Sequence, residues 1–271
     1  MNPKIFKPNQ DLKEFVKSYW TLEGTKDATP NKNTIVPDGT MKLIFHYGDL
    51  YWHHPENGDS FLQPRCFLIG QLTKPYIVEP DGDTGTFVVR FHPNGFSPFT
   101  TIPIKEMENT PISLERLFGK EGQKLEFKIL NANGVLKRIE IIESFLLSKL
   151  KNKKLTDKVV KSTIKTITTA NGQIPINELS KQGHLNRRVL SRKFNTTVGL
   201  SPKQLSKIIR LQSSLKILLN KDISKLTDLA YENDYFDQAH FIKDFNEFTG
   251  TTPKEFYKDH LKMSLIFEKL N

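Results

Sequence analysis

The chain has 271 residues, 37% of them hydrophobic and 26% charged, with a formal net charge of +10; this balance is typical of about two soluble globular domains and excludes a largely disordered chain. No apolar run approaches the roughly 18 residues of a membrane span, the first residues lack the apolar core of a signal peptide, and the single cysteine, Cys66, excludes an intramolecular disulfide and a cysteine-rich zinc site. We therefore expect a cytoplasmic protein with no membrane partner.

The first half of the chain has the period of β-strands. In residues 41–47 apolar side chains alternate with a more polar set, and residues 86–92 repeat this pattern. The turn sequence Pro-Asp-Gly precedes both runs, at residues 37–39 and 80–82. Several short strands at this spacing predict an antiparallel sandwich or small barrel.

From about residue 103 the period becomes helical. Short helical turns are predicted at residues 104–108 and 113–118, and a longer helix is predicted after Gly134. The apolar residues of the longer helix recur at helical spacing as far as Leu150. This apolar stripe is expected to pack on the core or serve as a linker helix, with pairing to a second subunit as the alternative.

A polar, basic stretch at residues 149–154 marks the expected domain boundary, which divides the chain into residues 1–150 and 155–262. The charge is distributed unequally across this boundary: residues 151–262 hold 21 basic and 11 acidic residues, whereas the first 150 residues hold 18 of each. A module that binds a polyanion needs such a polarised charge, because neutralised phosphates release counterions. A solvated lysine-rich surface is the alternative explanation.

The last third of the chain has the pattern of an all-helical domain. A first helix carries its apolar residues on one face and ends near Asn171-Gly172, a pair that suits a helix C-terminus. Pro202 opens a long helix with leucines and isoleucines at spacings of three and four. Further helices are predicted around residues 178–182, from Asn186, and around residues 226–231, 238–248 and 253–259.

An internal repeat at an offset of 51 residues is the most informative feature of this domain. Residues 185–205 match residues 236–256 at eight positions. The matched pairs include N-cap residues, apolar residues at i,i+4 spacing, glycines suited to positive φ and helix-opening prolines; the pairs are Leu185/Phe236, Asn186/Asp237, Leu190/Phe241, Phe194/Phe245, Asn195/Asn246, Gly199/Gly250, Pro202/Pro253 and Lys203/Lys254. A short helix is predicted before each copy, so each forms the helix-turn-helix pattern.

The two copies resemble the DNA-binding domain of the AraC/XylS transcriptional regulators. The resemblance covers about residues 155–260, and the run FDQAHF followed by GTTP, within residues 236–256, is close to the most characteristic stretch of that family. It implies two helix-turn-helix units joined by one long helix, with both recognition helices in the major groove of double-stranded DNA. The connector at residues 202–219 would be about 27 Å long, on the scale of the roughly 34 Å between successive major-groove faces. RNA polymerase is a further candidate partner.

The resemblance places base contacts of the first unit on Arg188, Ser191 and Arg192. The equivalent residues of the second unit include Ala239 and Ile242, which cannot hydrogen-bond a base edge. We therefore expect the first unit to read sequence and the second to bind mainly phosphates, with solvated surface arginines as the alternative. The DNA-binding candidates are Arg187, Arg188, Ser191, Arg192, Asn195, Gln238, His240, Ile242 and Lys243.

Residues 15–150 resemble the N-terminal domain of one subgroup of AraC-like regulators. The matching stretches are residues 19–23, 36–39, 68–71, 89–93 and 95–96. The resemblance implies a cupin-like β-barrel with trailing helices, so the expected fold class is α+β: this antiparallel barrel, then an all-α domain of two helix-turn-helix units. Such a domain would control the regulator through a small-molecule effector or through homodimerisation.

Six residues are candidates for binding an effector, which their mixed charge suggests is polar: Trp20, Asp38, Lys42, Gln71, Arg90 and His92. The alternative is that Lys42, His46, Arg90 and His92 share a solvent-facing strand parity and bind nothing.

Catalysis and cofactor binding find little support in the sequence. The adjacent His53 and His54 would point apart on a strand, so no metal site is expected. No phosphate-binding glycine loop and no complete nucleophile elbow occurs, and we expect neither enzymatic activity nor a cofactor. Two competing functions remain open: a sensor of covalent modification that uses Cys66, and a non-specific nucleic-acid binder.

Overall fold

The computed structural model describes residues 3–25, 32–150, 157–182, 186–220 and 238–259. Its N-terminal part consists of antiparallel strands followed by helices, and its C-terminal part is helical, which is the predicted α+β class. The strands are β1 (Lys4–Phe6), β2 (Val16–Gly24), β3 (Asn33–Ile35), β4 (Lys42–His46), β5 (Tyr51–His54), β6 (Phe61–Leu62), β7 (Cys66–Ile69), β8 (Tyr76–Pro80), β9 (Thr84–Phe91) and β10 (Pro111–Ser113).

The strands form two antiparallel sheets. The larger sheet has the order β1-β2-β9-β4-β7-β10, and the smaller has the order β3-β8-β5-β6. Strand β9 lies inside the larger sheet, where Arg90 is paired with Ser18 of β2 and with Lys42 of β4. All eight residues of β9 are buried, so both faces of this strand are covered. The predicted antiparallel arrangement is confirmed, and closure of the sheets into a barrel stays a prediction.

Successive residues of β4 and β9 lie on opposite faces of the larger sheet, and the two faces contact different parts of the protein. Leu43 and Phe45 of β4 belong to the main core of the N-terminal domain, together with Phe87 of β9. The alternate residues, which include Ile44 and Val88, line a cavity that the smaller sheet also lines. The alternate residues of β4 that include the polar side chains therefore face the protein interior: Lys42 and His46 are 9% and 3% exposed. Arg90, on the same face of β9, is 2% exposed. These three residues are not on a solvent-facing surface.

Helices cover the core face of the larger sheet, as the apolar stripe after Gly134 predicted. Ile142 and Leu146 are fully buried in the same core as the strand residues. The 3₁₀ turn Ile104–Met107 and the first of these helices lie at the two places where short helical turns were predicted. The three helices are α1 (Leu114–Phe118), α2 (Lys120–Leu130) and α3 (Val135–Leu150).

The C-terminal helices lie where the sequence predicted them. They are α4 (Lys158–Thr169), α5 (Ile176–Gln182), α6 (Arg187–Thr197), α7 (Pro202–Asn220), α8 (Gln238–Thr249) and α9 (Pro253–Asp259). The predicted helix at residues 226–231 and the predicted N-cap Asp237 lie outside the described residues. One apolar core joins residues of all six helices, with Phe194 and Phe245 fully buried in it.

Local chemistry explains where these helices begin and end. The side chain of Asn186 accepts a hydrogen bond of 2.9 Å from the backbone N–H of Val189, which caps α6 as predicted. Gly199 and Gly250 have φ values of +81° and +74°, in the left-handed region where glycine is favoured. Among the described residues, no helix is long and apolar enough to cross a bilayer.

Candidate DNA-binding face and effector cavity

Helix α6 presents a polar, basic face next to its buried side. Leu190 and Phe194 are 1% and 0% exposed and pack in the domain core, which turns the predicted contact residues outward. The five candidates of this unit are all on the surface: Arg187, Arg188, Arg192 and Asn195 are exposed, and Ser191 is partly exposed. The helix can therefore present two guanidinium groups at i,i+4 spacing to a ligand.

Helix α8 presents a less basic face. Phe241 and Phe245 are buried, as their matched residues in α6 are, while Ile242 is partly buried and packs against the domain core. That packing leaves less of Ile242 to contact a thymine methyl group. The remaining candidates are exposed: Gln238, His240 and Lys243.

The connector helix α7 is tied to α8 by ion pairs. Lys207 Nζ lies 2.8 Å from Asp244 Oδ1 and 3.1 Å from Glu247 Oε2. Asp244 is 3% exposed. This largely buried Lys207–Asp244 pair fixes the packing of α8 on α7.

The face of α6 opens onto a groove whose opposite wall belongs to the N-terminal domain. The groove has a volume of about 830 Å³, and Pro103 and Lys105 of the 3₁₀ turn form that wall. The residues of the C-terminal domain that line it are Asn186, Arg188, Val189, Ser191, Arg192, Asn195 and Thr196. A Cβ atom added to Gly199 would lie 2.8 Å from Ile104 Cγ2, so the 3₁₀ turn packs closely against the end of α6.

A cavity of about 100 Å³ lies between the two sheets of the N-terminal domain. Of the six predicted ligand residues, Trp20 and Lys42 line it, and its other walls are mostly aliphatic and aromatic. The remaining lining residues were not predicted to bind a ligand: Leu22, Asn33, Ile35, Ile44, His46, Tyr51, Gln63, Ile69, Leu72, Tyr76, Val78, Thr86 and Val88. The alternation in β4 and β9 could have indicated four of them, Ile44, His46, Thr86 and Val88, because they share the parity of Lys42.

One end of the cavity carries a neutral hydrogen-bond network. His46 Nδ1 lies 3.1 Å from Thr86 Oγ1, and His46 Nε2 lies 3.1 Å from Gln63 Oε1. Gln63 in turn donates a hydrogen bond to the hydroxyl of Tyr76. Burial lowers the pKa of His46 to about 4, so its ring is neutral at physiological pH. The indole N–H of Trp20 is buried and has no acceptor in the part of the chain that the structure describes.

Next to the cavity, Asp38 forms ion pairs with two buried cations. Its Oδ2 lies 2.8 Å from Lys42 Nζ and 2.8 Å from Arg90 Nη2, and its Oδ1 accepts a hydrogen bond of 2.7 Å from Thr40 Oγ1. Burial by itself would raise the pKa of Asp38, but Lys42 and Arg90 together with these hydrogen bonds hold it well below its usual value. Asp38 and Arg90 do not line the cavity, but Asp38 pairs with Lys42, which does.

The other two predicted ligand residues brace neighbouring loops. Gln71 donates hydrogen bonds of 3.3 Å and 3.2 Å to the carbonyl oxygens of Gly39 and Pro93. The ring of His92 is 3.2 Å from the carbonyl oxygen of Lys13. Neither side chain is among those that line the cavity.

The loop that carries Asp38, residues 36–40, rests on the connector helix α7. Gln212 of α7 donates a hydrogen bond of 2.7 Å to the carbonyl oxygen of Pro37. Gly39 has a φ of +70°, and a Cβ atom added to it would lie 2.9 Å from Leu205 Cδ1. This loop, which we call the coupling loop, is therefore paired with the cavity cation Lys42 through Asp38 and is in contact with α7 through Pro37 and Gly39.

The thiol of Cys66 lies in the protein interior. Cys66 is 3% exposed, and burial, with a further contribution from Glu126, raises the pKa of its thiol. Both effects disfavour the reactive thiolate. His53 and His54 make different contacts, with the carbonyl oxygen of Ile77 and with Glu79 respectively. Among the described residues, no group of three or more His, Cys, Asp or Glu side chains could hold a metal ion.

Two domain families match two separate parts of the chain, one in the N-terminal strands and one in the C-terminal helices. Residues 4–113 match DUF6597, a domain of unknown function. Residues 179–259 match a helix-turn-helix domain family. No protein among the curated sequences matches the chain.

Solved structures align with part or most of the chain at low identity. ToxT from Vibrio cholerae is 13% identical, with 89% of this chain and 98% of that chain covered and a TM-score of 0.48. ToxT with an unsaturated fatty acid bound is 12% identical, with 94% and 93% covered and a TM-score of 0.44. The C-terminal domain of AraT, a response regulator from Geobacillus stearothermophilus, is 17% identical, with 40% and 90% covered and a TM-score of 0.37.

Proposed function

We propose that this chain, which combines a DUF6597 domain with a helix-turn-helix domain of the AraC type, is a transcriptional regulator that binds two successive major grooves of double-stranded DNA. The observation that carries the proposal is the face of α6, where Arg188 and Arg192 are exposed beside a fully buried Leu190–Phe194 side. Arginine at such a position forms bidentate hydrogen bonds with guanine or binds phosphate.

The two units contribute unequally to recognition. Helix α6 carries two exposed arginines on its outer face, whereas the corresponding positions of α8 are Ala239 and Lys243. Lysine binds phosphate as a point charge and alanine offers no hydrogen bond. The first unit therefore supplies most of the sequence preference, and the second supplies mainly affinity.

The N-terminal domain controls this binding through a small effector in its cavity. The walls are mostly apolar, and their polar groups are few: the ammonium of Lys42, the N–H of Trp20, the amide of Asn33, the hydroxyl of Tyr51 and the neutral network of His46. A compact apolar molecule with one acceptor or anionic group fits this chemistry better than the polar effector expected from the sequence.

Control would pass through the coupling loop. A ligand acceptor on Lys42 competes with Asp38 for the same ammonium, and Asp38 holds the loop that contacts α7. Because a ligand shifts an equilibrium only by its differential affinity for two states, the loop must rest differently on α7 in the liganded and free protein.

Selection of bound sequences from a random pool of duplexes tests the DNA-binding proposal. We expect the full chain to recover a sequence motif whose conserved positions lie mainly in one half. Recovery of unenriched sequence would contradict the proposal and would support non-specific binding.

Tryptophan fluorescence tests the effector proposal. The chain has two tryptophans; Trp52 is 38% exposed and lies outside the cavity, so a Trp52→Phe variant leaves Trp20 as the only indole. A panel of small aromatic and aliphatic carboxylic acids is expected to contain a compound that changes Trp20 emission saturably and alters DNA affinity. An Ile44→Phe variant, which fills the cavity, should abolish both effects; effects that survive it would place the ligand elsewhere.

A further inference from the structure

We propose that the DNA interface extends into the N-terminal domain, where Lys105 of the 3₁₀ turn Ile104–Met107 binds the phosphate backbone that flanks α6. This inference rests on the proposed DNA-binding function. It adds a contact from a domain that neither domain match assigns to DNA binding.

The position of Lys105 follows from the groove beside α6. Lys105 and Pro103 form one wall of this groove, and the opposite wall contains Arg188, Ser191 and Arg192, which are the predicted base-reading residues. The outer face of α6 and the 3₁₀ turn therefore line the same groove. A ligand that fills this groove contacts both domains.

The dimensions of DNA determine what enters the groove. An α-helix with its side chains is about 10–12 Å wide and fills a major groove of about 12 Å. A sugar–phosphate strand must then lie along each side of the helix. With α6 in the major groove, one of these strands occupies the space between α6 and the 3₁₀ turn.

The 3₁₀ turn is held firmly enough to act as a fixed wall. Ile104 and Met107 are 3% and 0% exposed in the N-terminal core. On the other side, Ile104 Cγ2 and the carbonyl oxygen of Ile104 lie 2.8 Å and 3.2 Å from where a Cβ of Gly199 would be, so the turn is in direct contact with the chain at the end of α6. The turn thus keeps its place beside the reading face.

The charge of the wall suits a phosphate strand. The side chain of Lys105 is 52% exposed, and its ammonium is paired with Glu108, which is 21% exposed. Glu106 is exposed as well, but it does not line the groove. A phosphate that enters the groove meets three cations, Lys105, Arg188 and Arg192, and it replaces Glu108 as the partner of Lys105.

Salt titration of DNA affinity tests the assignment, with the full chain and two duplexes, one selected by the protein and one of scrambled sequence. Lys105→Ala should weaken binding to both duplexes by the same factor, roughly five- to tenfold at 0.1 M salt, and should reduce the slope of log K against log salt by about one. The matched control is Lys128→Ala, an exposed lysine of α2 outside the groove, which should leave both quantities unchanged. Glu108→Gln, which frees the ammonium, should tighten binding to both duplexes.

The outcomes separate this inference from the proposed function. An unchanged slope in Lys105→Ala would show that the 3₁₀ turn does not touch DNA. Tighter binding in that variant would show that the turn obstructs DNA. Either result overturns the inference while the wild-type preference for the selected duplex stands, whereas a wild-type protein that lacks this preference contradicts the proposed function itself.

Discussion

Asp38 illustrates how one carboxylate can serve both folding and control. It neutralises two cations that the sheet buries, Lys42 and Arg90, and it accepts a hydrogen bond from Thr40 in its own loop. Removal of one partner from a buried ion pair leaves an uncompensated charge, which is far more costly than the net value of the pair. The stability of the N-terminal domain therefore depends on this single residue.

We predict that Asp38→Asn lowers the free energy of unfolding by about 3–5 kcal/mol at pH 7. The lowered pKa of Asp38 in the folded protein means that its contribution is present above the unfolded pKa of about 3.9 and is lost as the pH falls below it. Denaturant titrations between pH 3 and 7 measure both effects. The variant should lose less stability than the wild type on acidification; parallel pH profiles would refute the assigned role.

The proposed base reading also depends on single residues. Arg192→Ala should cost about 1–3 kcal/mol on the selected duplex and relax preference at one base position. Lys243→Ala should weaken binding to all sequences alike and reduce the salt slope by about one. Competitive binding selections with the two variants measure the difference, and equal relaxation in both would show that the two units read DNA equally.

At the scale of elements, the coupling loop and α7 form one of the links between the N-terminal strands and the C-terminal helices. The loop places Gly39 against Leu205 and the carbonyl oxygen of Pro37 against Gln212. Val36 packs on the core of the C-terminal helices. These contacts leave no room for a larger residue at Gly39, so this position offers a way to disturb the link alone.

We predict that Gly39→Ala destabilises the protein more than Gly134→Ala does. Both glycines have positive φ, +70° and +83°, so both variants carry the backbone strain of a left-handed alanine, about 1–2 kcal/mol. The Cβ at Gly39 also collides with Leu205, whereas nothing lies within 4 Å of the Cβ position at Gly134. Thermal unfolding measures the difference. Equal losses would mean that the loop does not press on α7.

Elements with local signals could be predicted from the sequence, and the cavity could not. The Asn186 cap, the prolines that open α7 and α9, and the strand alternation are all encoded within a few residues, and the helices and sheets follow them. The cavity collects its walls from seven strands and the segments between them. Without a repeat or spacing that relates those strands, the sequence identified only Trp20 and Lys42 of its lining.

At the scale of the whole molecule, two large apolar side chains remain unburied on the trailing helices. Phe127 of α2 is 70% exposed and Leu136 of α3 is 71% exposed, and both lie close to the turn that joins these helices. Exposed apolar side chains of this size at neighbouring positions of the chain offer a surface that another chain can cover. We expect this surface to join two copies of the protein.

The variant Phe127→Lys/Leu136→Lys is predicted to shift a dimer to monomer without loss of folding, because neither side chain contributes much to the core. Sedimentation equilibrium measures the association constant, and circular dichroism monitors folding. A matched control is Ile5→Lys, a 45% exposed residue on the edge strand β1. A wild-type monomer at high concentration, or an unchanged dimer in the double variant, would contradict this expectation.

The measurement that tests the central claim most directly is the ratio of affinities for a selected and a scrambled duplex at one fixed salt concentration. A regulator that reads sequence through α6 should prefer the selected duplex by at least about a thousandfold, and Arg192→Ala should reduce that ratio by roughly 10- to 100-fold. Equal affinities of the wild-type chain for the two duplexes would show that its positive charge binds phosphate alone, and the account of a sequence-reading regulator would be wrong.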